Sequence, residues 1–114
     1  MVAPGVPQIG AEDGAGRVQA GALLLDVREP DEWLAGHAPA AIHIRLAEVP
    51  ERMGDLPAGS EVVVICRSGV RSDRAAAFLR ANGFEAANLA GGVRAWAAAG
   101  LDVVTDEGDP GRVI

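Results

Sequence analysis

The sequence predicts an α/β fold: three layers, in which a mainly parallel central sheet of about five strands carries helices on both faces. Three observations lead there. First, Ala22-Leu23-Leu24-Leu25-Asp26-Val27 and Val62-Val63-Val64-Ile65 are near-continuous apolar runs, the mark of strands covered on both faces. Second, stretches with helical spacing and helix stop signals separate the strand candidates, and such alternation implies right-handed βαβ crossovers. Third, 114 residues suit a single domain with one core, spanning 1–114.

Taken in order, residues 1–17 hold Pro4, Pro7 and four glycines, with Val6 to Ile9 the only strand candidate, so a loosely held or edge segment is expected. A helix around Ala11 to Ala20 is conceivable, but Gly14 and Gly16 interrupt it. After the Ala22–Val27 strand, Glu29 to Gly36 reads as a short helix with Pro30 early, acids in the first turn and Gly36 as the stop. Ala41 to Ile44 is a short strand. Leu46, Val49 and Met53 share one helical face, and Pro50 requires that helix to start within a few residues before it. Leu56 to Gly59 turns the chain into the Val62–Ile65 strand.

Ser72 reads as the N-cap of the next helix, with Ala75, Phe78 and Leu79 on its packing face and Asn82-Gly83 as its end. Phe84 to Leu89 is a strand candidate. Gly91-Gly92 breaks the chain before a last helix carrying Val93, Trp96 and Ala97 and stopped by Gly100. Residues 105–114 form a polar, turn-rich tail, expected to be mobile or draped on the surface. No internal repeat is visible.

Composition narrows the function classes. A formal charge of −6 argues against nucleic acid or an anionic membrane as a general partner. No stretch approaches the roughly 20 apolar residues of a membrane span, and Met1 to Gly5 lacks a basic, then apolar, leader; a cytoplasmic protein is expected. One cysteine makes no internal disulfide, and one cysteine with two histidines makes no convincing metal cluster. Every cation is Arg, a bias that genome composition explains most simply. Arg67, Arg71 and Arg74 nevertheless crowd one loop, with only Asp73 to offset them.

That loop begins at the single cysteine, Cys66, at the carboxyl end of the Val62–Ile65 strand. On base rates such a cysteine is a small buried hydrophobe. Position argues otherwise: ligands bind at the carboxyl ends of strands in doubly wound sheets. The loop leads onto a helix N-terminus, whose N–H groups and dipole favour an anion. Backbone donors and guanidinium groups there lower a thiol's pKa and make the thiolate its resting form, so no general base is needed.

The pattern resembles the single-domain rhodanese-like sulfurtransferase family over about Leu23 to Leu101. The resemblance rests on Leu25-Asp26-Val27-Arg28-Glu29 with Glu32-Trp33, on Gly36-His37 and Ala41, on Cys66-Arg67-Ser68-Gly69-Val70-Arg71-Ser72, and on Leu89-Ala90-Gly91-Gly92-Val93-Arg94-Ala95-Trp96. Ala40 and Arg45 depart from the glycine and proline usual in the family.

The resemblance implies a rhodanese-like fold and, without cofactor or metal, a ping-pong sulfur transfer. Cys66 would attack the sulfane sulfur of thiosulfate or a related anionic donor and pass it, as a persulfide, to cyanide or a thiol, including a protein acceptor. The backbone N–H groups of Arg67, Ser68, Gly69, Val70, Arg71 and Ser72 would hold the persulfide anion, and Arg67 and Arg71 the donor's oxygens. Arg71 has an equal alternative, an ion pair that braces the loop. Asp26 and Arg28 read first as a structural pair, Arg28 with Asp26 or Glu32, that orients the loop from behind. His37 and His43 read as hydrogen-bonded residues rather than catalysts; Trp33, Trp96, Phe78, Leu79, Leu89 and Val93 read as packing.

Two rival functions follow. Cysteine phosphatases and arsenate reductases on related folds have Cys-x5-Arg, whereas Cys66 and Arg71 are separated by four residues, a smaller cradle better fitted to one sulfur atom. A persulfide relay or interaction module with little thiosulfate turnover is the second.

Overall fold

The computed structural model describes residues 5–114, and expectations for Met1 to Pro4 lie outside them. The elements are β1 (Gln8–Ile9), α1 (Ala11–Gln19), β2 (Leu23–Asp26), α2 (Pro30–Ala35), β3 (Ile42–His43), α3 (Val49–Arg52), β4 (Glu61–Ile65), α4 (Val70–Ala81), β5 (Glu85–Leu89) and α5 (Gly92–Ala98), with single 3-10 turns on either side of α3. All five strands are parallel, in the order β1-β5-β4-β2-β3. The mainly parallel, three-layer α/β prediction therefore holds.

Strand parity sorts the core into two halves. Val62, Val64 and Cys66 of the central strand face Ala75, Ala76 and Leu79 of α4 and Val49 of α3, together with Leu25 and Val27. Val63 and Ile65 face the opposite layer, with Ile9, Leu24, Ala87, Leu89, and Val93 and Trp96 of α5. Because successive side chains of a strand alternate, Cys66 belongs to the α4 face. In β5, Ala86 shares that face and Ala87 the other, so Asn88, paired with Val64, also points toward α4.

Several boundaries differ from expectation. The segment 1–17 is anchored where it is described: Gln8–Ile9 pairs with Asn88–Leu89 at the sheet edge, and Ala11–Gln19 is helical through Gly14 and Gly16. Gly14 lies where a Cβ would stand 2.8 Å from Leu89 Cδ1, so the glycine lets this helix pack close to the sheet. The tail is draped: Val104 exchanges backbone hydrogen bonds with His37, and the Arg112 N–H donates to Ala35 O at 2.9 Å. Phe78 is 37% exposed because the buried stripe of α4 runs through Ser72, Ala75, Ala76 and Leu79, and Phe78 falls to its side. Trp96 is buried, whereas Trp33 is only half-buried and lies between two imidazoles, its ring centroid 3.6 Å from that of His37 and 4.9 Å from that of His43.

Candidate active site

The site starts at the end of β4. Cys66 is 1% exposed, and the chain turns immediately beyond it into α4. The helix begins at Val70, three residues earlier than an N-cap at Ser72 would require. Gly69 makes the earlier start possible: it caps α4 at φ 102°, a left-handed conformation that residues with a Cβ rarely adopt. Ser72 consequently sits inside the first turn, fully buried, with its hydroxyl turned to the sulfur rather than to the helix backbone.

The sulfur is surrounded by donors. The Gly69 N–H lies 3.1 Å from Cys66 Sγ and the Ser72 hydroxyl 3.2 Å from it. Burial pushes the thiol's pKa up, while the Ser72 hydroxyl and the backbone N–H groups of Ser72, Gly69 and Ser68 push it down; the net displacement is downward. Helix α5 closes the loop from behind. The Val93 N–H donates to Cys66 O at 2.7 Å, and a Cβ on Gly92, at φ 62°, would fall 2.3 Å from that same oxygen. Only a glycine permits so close an approach.

Arg71 makes a two-pronged ion pair with Glu32 of α2, at 2.6 and 2.8 Å. The hydrogen bond between them, with their mutual charge attraction, raises the Arg71 pKa and lowers that of Glu32 against the opposing effect of burial on each. The bracing ion pair expected as one of the two roles of Arg71 is present. Arg67 turns to the tail, where its Nε–H donates to Ile114 O at 2.9 Å. Val70 is 57% exposed at the rim, and a depression of about 170 Å³ opens between Gln8, Ser68, Gly69, Val70 and Asn88.

Behind the loop, Asp26 and Arg28 form a fully buried pair, with Arg28 Nη2 2.8 Å from Asp26 Oδ2. Arg28 also donates to Gly36 O at 2.8 Å and to Glu32 O at 3.3 Å, so it holds the backbone of the helix whose Glu32 carboxylate holds Arg71. The imidazole of His43 bonds Arg28 O, and that of His37 contacts Ala38 O and Asp106, so both rings are engaged away from Cys66. Asn88 and Gln8 were not singled out from the sequence. Asn88 is 1% exposed and accepts from the Ser72 hydroxyl at 2.6 Å. Its signal was one amide inside Ala86-Ala87-Asn88-Leu89, a strand run otherwise apolar.

Fold and loop together define a single-cysteine α/β protein whose thiol sits in a turn lined by N–H and hydroxyl groups at the carboxyl edge of a parallel sheet. The model of the rhodanese-like domain matches residues 11–99. The chain belongs to the rhodanese-like domain family. It is 45% identical over 73 residues to a putative sulfurtransferase, YtwF, of Bacillus subtilis, covering 64% of this chain and 71% of that protein. It is 42% identical over 87 residues to a sulfurtransferase of Allochromatium vinosum, covering 75% and 81%. The crystal structure of a rhodanese-related protein from Thermoplasma volcanium superposes with a TM-score of 0.82 at 33% identity, over 88% of this chain and 99% of that one.

Proposed function

We propose that the protein is a sulfurtransferase of the thiosulfate type, moving the sulfane sulfur of a small anionic donor to cyanide or a thiol through a persulfide on Cys66. The observation that carries this reading is the set of donors converging on one sulfur atom, with the Gly69 N–H and the Ser72 hydroxyl at 3.1 and 3.2 Å from Cys66 Sγ. Such donors stabilise the attacking thiolate and then an outer sulfur that carries negative charge. The thiolate attacks the donor's outer sulfur, the S–S bond to the sulfonyl sulfur breaks, and sulfite leaves with the electron pair. A thiophile then takes the outer sulfur and restores the thiolate.

Roles follow from reach. Cys66 is the nucleophile, and the loop from Arg67 to Ser72 is the anion cradle. Arg71, held by Glu32, supplies positive charge from a fixed position, while Asp26 and Arg28 keep the loop in place from behind. A free thiol suits a reducing, cytoplasmic setting. The test is sulfur transfer from thiosulfate to cyanide by wild type and Cys66→Ala, with intact mass after exposure to donor. Turnover and one added sulfur atom, both lost in Cys66→Ala, are expected; equal activity in the variant overturns the nucleophile. A persulfide without turnover assigns a relay role, with a protein thiol as acceptor. Phosphate-ester turnover that depends on Cys66 assigns a phosphatase.

A further inference from the structure

Beyond the donors that touch sulfur, a chain of side-chain hydrogen bonds runs away from Cys66 through three elements. The Ser72 Oγ lies 3.2 Å from Cys66 Sγ and 2.6 Å from Asn88 Oδ1. Asn88 Nδ2 donates to Gly69 O at 3.0 Å and to Gln8 Oε1 at 2.8 Å. Gln8 Nε2 donates to Asp73 Oδ1 at 2.8 Å. Ser72, Asp73 and Asn88 are all buried, and the Gln8 side chain closes the chain from the edge strand.

The chain has a direction, because its two anchors can only accept. A carboxylate oxygen and a backbone carbonyl oxygen accept hydrogen bonds. Asp73 therefore turns the Gln8 NH2 toward itself and the Gln8 oxygen toward Asn88. Gly69 O independently turns the Asn88 NH2 toward the loop. Both constraints leave the Asn88 oxygen facing Ser72, and a flipped amide would set oxygen against oxygen at two contacts.

A hydroxyl has one proton, and here two acceptors compete for it. We infer that Asn88 and Gln8 are positioning residues that commit the Ser72 proton to Asn88 Oδ1 while Cys66 is a thiol, so that Ser72 donates to sulfur only when Sγ is anionic. The S–H of the un-ionised thiol then points at a lone pair of Ser72. On ionisation the hydroxyl rotates to the sulfur and Asn88 Oδ1 loses its donor; no bond to hydrogen breaks in the rotation. The amide therefore opposes the thiolate that the hydroxyl supports. In the sulfur-transfer reading, charge moves from Sγ to the outer sulfur when the persulfide forms, and the hydroxyl returns to Asn88. That consequence rests on the proposed function, whereas the control of Cys66 ionisation does not.

The charged groups around the thiol are fixed by contacts that the test leaves in place, apart from the Gln8 bond to Asp73. Arg71 of α4 is held by Glu32 of α2, Arg28 after β2 by Asp26, and Arg67 of the loop bonds the tail. Asp73 of α4 accepts from Gln8, and Arg94 of α5 meets the loop through its backbone N–H.

The experiment is a pH titration of the thiolate's ultraviolet absorbance, free of interference from other thiols because Cys66 is the single cysteine. It is run on wild type, Asn88→Ala, Gln8→Met and each of these with Ser72→Ala. Asn88→Ala is expected to lower the midpoint by about 0.5–1 pH unit, the worth of one neutral hydrogen bond. Gln8→Met, an exposed edge substitution that leaves the backbone pairing intact, is expected to lower it by less. Both shifts are expected to vanish on the Ser72→Ala background, the sign that they act through the hydroxyl. An upward shift, an unchanged midpoint, or a shift that survives Ser72→Ala overturns the inference. None of these outcomes depends on whether the protein turns over thiosulfate.

Discussion

Asp26→Asn removes the charge that neutralises Arg28 while keeping the shape of the side chain. Both residues are 0% exposed, so the guanidinium cannot recover its partner from water. In the native site Arg28 Nε lies 3.0 and 3.1 Å from the two Asp26 oxygens, and Nη2 is 2.8 Å from Oδ2. Stripping one partner from a buried pair costs about 3–5 kcal/mol. The carbonyls of Gly36 and Glu32 stay within reach of Arg28 and place this case at the lower end. A loss of about 3 kcal/mol is a large share of a stability of about 5–15 kcal/mol, and it lowers Tm by roughly 12 °C at about 4 °C per kcal/mol. Urea and thermal melts followed by circular dichroism measure it. Asp26→Leu combined with Arg28→Met, which removes both charges, is expected to recover much of the loss. A cost below about 1 kcal/mol for Asp26→Asn, the range of exposed pairs, would refute the reasoning.

Other substitutions separate the remaining forces. Gly92→Ala puts a Cβ 2.3 Å from Cys66 O at φ 62°, whereas Gly100→Ala meets open space at φ 81°; melts should show a cost of about 1–2 kcal/mol for Gly100→Ala and clearly more for Gly92→Ala. Equal costs would mean that α5 yields without strain. For Glu32, the folded-state pKa is lowered chiefly by its hydrogen bond with Arg71, so the stability it adds is present above the unfolded carboxylate range and lost as pH falls through the folded value. Glu32→Gln should flatten that acid limb in denaturant titrations between about pH 5 and 2, and an unchanged limb would count against the pair. The wild-type thiolate midpoint should lie below the free-thiol value of about 8.5, since donors at sulfur outweigh burial; a midpoint at or above it contradicts the cradle.

Much of the architecture is legible because it depends on local pattern. The apolar runs at Leu23–Val27 and Val62–Ile65 have to be covered on both faces, and Gly83 and Gly100 end helices where the left-handed region is needed. The helix Ala11–Gln19 was obscured because Gly14 weakens helix propensity, while its benefit, close packing against Leu89, is a contact across 75 residues of chain. Ser72 was misread for a related reason. An N-cap is the common use of a serine near a helix start, but Gly69 moved that start and freed the hydroxyl for Cys66.

By itself the sequence determined that a lone thiol ends a buried parallel strand and leads into a helix, because strand length, β-branched residues and turn glycines act within a few neighbours. Only the tertiary structure decided which atoms meet that thiol. That Arg71 meets Glu32, and that Asn88 lies beside the Ser72 hydroxyl, depends on strand order and register. These bring residues 8, 66, 72 and 88 to one face of the sheet, and pairings over such separations leave no periodic trace in the chain.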